Sequence, residues 1–137
     1  MSHTLPNELA QKVKAAVLSQ FPEWDRYLEI QGSGDIELAV PAPSGSNAGN
    51  LIILTAKGTD IWIRYAPAHM SYAVDDEIEL VNVAKQLLSE EASFMVTVEN
   101  GKWAETTLVK AGQVPTIKPG QTAQVISWRG TYDREVA

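Results

Sequence analysis

The dipeptide Asn100-Gly101 stands between two segments, Ser93–Glu99 and Lys102–Val109, in which apolar and polar residues alternate. A type I′ turn needs a positive φ at both central residues, and Asn-Gly is the pair that meets this need most readily. Alternation over these lengths is typical of strands with one buried face. The sequence therefore predicts a tight β-hairpin over residues 93–109.

The two-residue loop also fixes which residues of the hairpin lie opposite each other. The predicted pairs are Glu99 with Lys102, Val98 with Trp103, and Val96 with Glu105. Side chains at every second position of a strand share one face of the sheet. The predicted shared face carries Phe94, Val96, Val98 and Trp103.

Similar patterns predict the other elements. Before the hairpin they are a helix Pro6–Gln20, the strands Tyr27–Gln31, Asp35–Val40, Leu51–Ala56 and Asp60–Tyr65, and a second helix Asp76–Ser89. Asp75 is the predicted N-cap of this second helix, and Ile78 belongs to its predicted apolar stripe. After the hairpin comes a strand Thr122–Trp128, and the tail from Arg129 is a candidate edge strand. Tight turns connect most strands in this order, α-β-β-β-β-α-β-β-β. We therefore expect an α+β fold, with two helices and a mostly antiparallel sheet of about six or seven strands. Leu51–Leu54 is apolar at every position, which indicates a central strand.

The length of the chain is that of one domain. Its 137 residues predict a single α+β domain over residues 1–137. Residues 41–50 consist only of Pro, Ser, Gly, Asn and Ala, and this composition predicts a flexible loop between two strands.

Several kinds of chemistry are excluded by residue type. Cysteine is absent, and His3 and His69 are the only histidines, which excludes thiol catalysis and Cys-ligated metal sites. Nucleophile-elbow, phosphate-loop and HExxH motifs are also absent. The remaining catalytic candidates are His69 as a general base and Glu105 as an acid–base carboxylate. A lone loop histidine or a rim carboxylate is more often an ordinary surface group, so we expect no enzyme, no cofactor and no metal.

The charge of the chain is concentrated in one segment. The formal net charge is -6, which disfavours direct binding to nucleic acid because phosphate contacts need a basic surface. Residues 71–105 contain eight acids and two bases, whereas acids and bases balance in the rest of the chain. This segment is either a solvated helix face or a surface that attracts a basic partner.

Four tryptophans are present, and Trp and Tyr are common anchors at protein interfaces. Trp62 is ambiguous, because its strand neighbours Ile61 and Ile63 already supply the opposite face. Its own face is either a second core layer under the second helix or an exposed binding surface, and core is the commoner outcome.

The sequence carries no sign of a membrane segment. Its longest apolar run, Leu51–Leu54, is far shorter than the roughly 20 residues of a spanning helix. Met1–Glu8 shows no basic cluster followed by an apolar stretch, as a secretory signal would. We therefore expect a cytoplasmic protein that does not bind membranes.

Several segments together give the chain a family resemblance. They are Thr59–Pro67, Met70–Tyr72, Val74–Asp76, Trp103–Val109, Gln121–Trp128 and Tyr132-Asp133. Residues 51–134 thereby resemble the immunity proteins of bacterial polymorphic and contact-dependent growth-inhibition toxin systems. The resemblance implies a small, non-enzymatic protein that binds a cognate toxin domain, in many cases a nuclease, and occludes its active site.

The acidic segment and the aromatic residues supply the expected contact residues for such a partner. These are Asp75, Asp76, Glu77, Glu79, Glu90, Glu91, Trp62 and Tyr72. The alternative reading is a small-molecule or peptide-binding domain, with a homo-oligomer left open. A ligand that raises the melting temperature of the isolated protein would distinguish this alternative.

Overall fold

A computed structural model describes residues 5–67, 71–113 and 115–136. The hypothesis that His69 is a general base therefore lies outside the described residues. The helices are α1 (Glu8–Gln20) and α2 (Glu77–Leu88), with a short 3₁₀ helix at Pro22–Tyr27. The strands are β1 (Leu28–Ile30), β2 (Ile36–Pro41), β3 (Asn50–Ala56), β4 (Asp60–Tyr65), β5 (Tyr72–Val74), β6 (Ala92–Glu99), β7 (Lys102–Lys110), β8 (Gln121–Ile126) and β9 (Arg134–Val136).

The strands of the described residues form two antiparallel sheets, with the orders β1-β2-β3-β4-β5 and β7-β6-β8-β9. This confirms the predicted α+β class, the antiparallel pairing and the central position of β3. The sequence analysis expected about six or seven strands in one sheet. The additional strands are the short β5 and β9, and the chain leaves the first sheet after β5, passes through α2 and enters the second sheet at β6.

The main core lies between the helices and the two sheets. It combines Leu80, Ala84 and Leu87 of α2 with Ile61 and Ile63 of β4. The other large buried contributors include Val13, Val17, Phe94, Val96, Ile126 and Trp128. A smaller cluster of Met95, Val109, Ala123 and Val125 lies on the opposite face of the four-stranded sheet.

Each α-helix begins at a side chain that accepts a hydrogen bond from the first turn. Asn7 caps α1, where its Oδ1 accepts from the backbone N of Ala10 at 2.9 Å. Asp76 caps α2, where its Oδ1 accepts from the backbone N of Glu79 at 2.8 Å. The N-cap predicted at Asp75 is therefore wrong by one residue. The carboxylate of Glu79 instead accepts from the backbone N of Asp75, which completes a variant of the capping box.

The Asn100-Gly101 hairpin forms as predicted at its tip. The two turn residues have φ of 53° and 76°, as a type I′ turn requires, and Glu99 pairs with Lys102. Farther along, a β-bulge shifts the register between Thr97 and Val98. The predicted pair of Val96 with Glu105 is therefore wrong, because β7 inserts one extra residue that the turn sequence does not signal.

A buried carboxylate fastens the start of α1 to the five-stranded sheet. The Oδ1 atom of Asp35 accepts from the Asn7 amide at 3.0 Å, the Thr55 hydroxyl at 3.1 Å and the Gly58 backbone N at 3.2 Å. Burial opposes ionisation of Asp35, but these bonds and one from Ser33 outweigh it and lower the pKa of the carboxyl.

The loop of residues 41–50 contacts the turn that follows β8. The Ser46 hydroxyl donates to the carbonyl of Trp128 at 2.7 Å, and the Asn47 amide donates to the Asp133 carboxylate at 2.8 Å. Ala48, the next residue along the loop, is fully buried. The flexibility of this loop stays a prediction, and the two hydrogen bonds join it to a segment more than eighty residues away.

Candidate partner-binding surface

The first turn of α2 concentrates exposed negative charge. Asp75 and Asp76 are exposed, and Glu77 and Glu79 are half-buried. We call these four residues the acidic turn. They gather here because carboxylates at a helix N-terminus cap its unpaired N–H groups and interact favourably with the helix dipole. The carboxylates that stabilise the N-terminus of α2 thus also give this end of the helix its negative charge.

An apolar side chain projects from the acidic turn. Ile78 is 66% exposed, although the sequence analysis placed it on the buried stripe of α2. The buried residues of α2 are centred on Leu80, Ala84 and Leu87. At 100° per residue, Ile78 lies nearly opposite that stripe. Sequence reasoning missed Ile78 because it merged two overlapping stripes into one face.

Ile78 also lines a groove between the two helices. The groove has a volume of about 230 Å³. Its lining residues include Ala16 and Gln20 of α1 together with Glu77, Ile78 and Val81 of α2. The exposed apolar side chain of Ile78, the groove beside it and the acids on the same helical turn are therefore available together for contact with another macromolecule.

A second groove adjoins the acidic turn at the edge of the five-stranded sheet. It has a volume of about 360 Å³, and its lining residues include Asp60 and Trp62 of β4, Ala73 of β5, and Asp75. Asp75 therefore belongs both to this Trp62 groove and to the acidic turn. The structure thus brings Trp62 together with one of the predicted acids.

The position of Trp62 answers the question that the sequence left open. Trp62 pairs with Leu54 and Ala73, whereas the core residues Ile61 and Ile63 point to the other side of β4. Both helices pack on the core side, so Trp62 does not lie under α2. The half-buried Trp62 instead lies on the outer face of the sheet, so of the two alternatives the core layer under α2 does not apply.

Tyr72 and Glu91 lie apart from this surface. Tyr72 pairs with Ile63 on the core side of the sheet, and its ring centroid lies 6.0 Å from that of Phe94. Glu91 is exposed beyond the C-terminal end of α2. The helix has 12 residues, so about 18 Å separate Glu91 from the acidic turn.

Glu90 must be removed from the predicted contact residues because it is only 3% exposed. Its carboxylate accepts from the Arg129 side chain at 2.9 Å and from the Thr131 hydroxyl at 2.7 Å. The backbone N–H groups of the same two residues donate to its second oxygen. Burial alone would raise the pKa of Glu90, but hydrogen bonds from Thr131, Ser127 and Arg129 lower that pKa to about 2.

Glu90 therefore has a structural role at the end of α2. It follows the C-cap Ser89 with a φ of 61°, a conformation that normally favours glycine. The carboxylate joins this helix end to the turn after β8, whose Asp133 in turn accepts from the Ser127 backbone N at 2.7 Å. The negative charge of Glu90 therefore interacts with Arg129 and Thr131 of the same chain and is not part of the exposed acidic surface.

Two other kinds of functional feature are absent from the described residues. Across residues 5–67, 71–113 and 115–136, no helix is long and apolar enough to cross a membrane. Within the same ranges, no group of three or more His, Asp and Glu side chains is placed to hold a metal ion.

Comparison with known proteins gives no relative. The sequence matches no protein-family model, and searches of curated proteins and of solved structures give no match either.

Proposed function

We propose that this protein is a cytoplasmic, non-enzymatic immunity protein that binds and neutralises a cognate bacterial toxin domain. The proposal takes the class of partner from the family resemblance of residues 51–134. The observation that carries it is the exposed Ile78 within the acidic turn of α2. An apolar anchor surrounded by carboxylates is complementary to a basic surface such as the substrate groove of a nuclease.

The two components of this surface have different roles. The four carboxylates attract a basic partner and raise the rate of association, an effect that salt weakens. Ile78 loses exposed apolar area on binding and so supports the affinity of the complex. The Trp62 groove extends the surface through Asp75, which provides an aromatic side chain and a second concavity.

The partner can be sought by co-expression. We expect the product of the adjacent upstream reading frame to co-purify with this protein, and cells that express that product to stop growing when this protein is withheld. A complex that forms without growth arrest would show that the bound product is not a toxin. The absence of both complex and arrest would exclude the proposal. In the second case a ligand screen by thermal shift would test the small-molecule alternative.

The electrostatic role of the acidic turn can be measured on the same complex. The double variant Asp75→Lys/Glu77→Lys reverses two charges while leaving the capping side chains Asp76 and Glu79 in place. We expect association to slow about ten-fold at low salt, and less than about two-fold at about 1 M salt.

The matched control for that experiment is Glu91→Lys, which reverses an exposed charge at the other end of α2. Both variants are compared at physiological salt, where the Debye length of about 8 Å is shorter than the distance of about 18 Å, so the effect of Glu91→Lys should stay below about two-fold. Equal effects of the double variant and the control would contradict a localised acidic contact and indicate only a response to net charge.

A further inference from the structure

The four-stranded sheet carries a groove of about 300 Å³ that is separate in sequence from the acidic turn. Its lining residues come from every strand of the sheet. They include Val96 and Val98 of β6, Trp103 of β7, Gln124 of β8 and Glu135 of β9. We call it the Trp103 groove.

The pairing of the strands explains why these side chains share one face. Val98 lies opposite Trp103, while Gln124 lies opposite both Val96 and Glu135. Partners in register, and residues two apart on a strand, point to the same side of a sheet. The order β7-β6-β8-β9 therefore places the backbones of Trp103 and Glu135 three strands apart, with the valines of β6 between them.

This part of the face lies beyond the main core. Val96 belongs to the core cluster, but Val98, the next residue on the same face, is half-buried and outside it. Trp103 is 39% exposed, so part of this large residue meets solvent. The result is an apolar floor that is open to an incoming side chain.

The chemistry of the lining selects the kind of side chain that fits. Glu135 is the one charged residue among those that line the groove, and Gln124 adds an amide beside it. Arginine and lysine have a long apolar stem and a cationic head, which matches an indole and valine floor that ends at a carboxylate. A guanidinium fits better than an ammonium, because it is less strongly hydrated and binds a carboxylate through two hydrogen bonds.

We propose that the Trp103 groove binds an arginine side chain of a basic partner protein. The stem lies over Trp103 and Val98, and the guanidinium donates to the carboxylate of Glu135. Assigning the arginine to a partner protein rests on the proposed function, whereas the preference of the groove for a guanidinium does not. The net charge of -6 favours the approach of such a partner.

The test uses the isolated, ¹⁵N-labelled protein and a short peptide probe. Acetyl-Gly-Arg-Gly-amide is titrated while the indole N–H of Trp103 and the backbone N–H groups of Gln124 and Glu135 are followed by NMR. We expect saturable shifts with a dissociation constant of about 1–10 mM, as suits one small contact. The matching peptide with citrulline, which has the same shape without the charge, should bind at least about five-fold more weakly.

Variants identify the groups that hold the probe. Glu135→Gln should weaken binding about five-fold, because it keeps the size of the side chain and removes its charge. Trp103→Phe keeps an aromatic ring and should weaken binding about two- to three-fold. The control Glu105→Gln removes an exposed carboxylate of β7 that does not line the groove, and it should leave binding unchanged.

The outcomes separate this proposal from the proposed function. Equal binding of the arginine and citrulline peptides, no binding of either, or an unchanged constant in Glu135→Gln would overturn the arginine site. None of these measurements needs the toxin. A captured toxin whose affinity is unaffected by Glu135→Gln would also overturn the role of the groove, while leaving the immunity function in place.

Discussion

Substitution of Glu90 tests how strongly its buried carboxylate joins the end of α2 to the turn after β8. The variant Glu90→Gln keeps the shape of the side chain but replaces one accepting oxygen with an NH₂ group. Side chains and backbone N–H groups of Arg129 and Thr131 all point donors at this position. The variant therefore loses the negative charge, and its NH₂ group faces at least one of the donors of Arg129 and Thr131.

The expected cost follows from the pKa of Glu90. Relative to an ordinary value of 4.5, a folded-state pKa of about 2 corresponds to about 3 kcal/mol in the free energy of unfolding. Because the folded-state pKa is the lower one, this stabilisation is fully present above about pH 5. It is lost as the pH falls from about 4.5 to about 2, where the carboxylate is protonated in the folded state as well.

The assay is urea unfolding followed by tryptophan fluorescence, since Trp128 lies beside Arg129. At pH 7 we expect Glu90→Gln to unfold with a free energy about 3 kcal/mol lower than the wild type. This difference should shrink toward zero near pH 2. Glu91→Gln, at the exposed neighbouring position, should stay within about 0.5 kcal/mol of the wild type throughout.

Two results would refute this reasoning. A loss below about 0.5 kcal/mol at pH 7 would mean that the buried carboxylate does not hold the turn after β8. A difference of the same size at pH 7 and near pH 2 would mean that the loss comes from the NH₂ group of the variant facing other donors, and that the charge of Glu90 does not contribute.

Four further substitutions test other parts of the fold. Asp35→Ala removes the acceptor of several buried hydrogen bonds and should lower the free energy of unfolding by about 3 kcal/mol, measured by urea titration. Gly101→Ala places an L side chain at φ 76° with no atom within 4 Å of the new Cβ, so conformation alone should cost about 1 kcal/mol in the same assay. Leu87→Ala, at a fully buried position, should cost about 3 kcal/mol, whereas Ile78→Ala should change stability by less than about 0.5 kcal/mol.

Features that depend on neighbouring residues were predictable from the sequence. The Asn100-Gly101 turn forms because both residues tolerate positive φ, and this property needs no tertiary contact. The apolar run Leu51–Leu54 predicted the central strand β3, because a short run that is apolar at every position is typical of a strand covered on both faces.

Features that depend on distant partners were not predictable. Nothing near Glu90 indicates that it is buried, because its partners Arg129 and Thr131 lie about forty residues farther along the chain. The bulge that moves Glu105 away from Val96 cannot be recognised from the sequence of the turn. The strand periodicity is the same in both sheets, so the pattern alone did not reveal that the strands divide between two sheets.

The candidate surface was predicted only in part. The acids of the acidic turn were found because net charge and helix capping both point to them. Trp62 was identified as ambiguous, and its place on the outer face depends on which side of the sheet the helices cover. Ile78 was missed because its exposure depends on the rotation of α2 about its axis.

The central claim is that the partner binds at the acidic turn around Ile78. Its most direct test is the effect of Ile78→Ala on the affinity of the complex. Once the partner is captured, its dissociation constant is measured by calorimetry for the wild type and for Ile78→Ala. An apolar anchor at the centre of the contact predicts affinity about ten- to one-hundred-fold weaker, with the stability of the isolated protein unchanged. An affinity within about two-fold of the wild type would contradict the claim that the partner binds at the acidic turn.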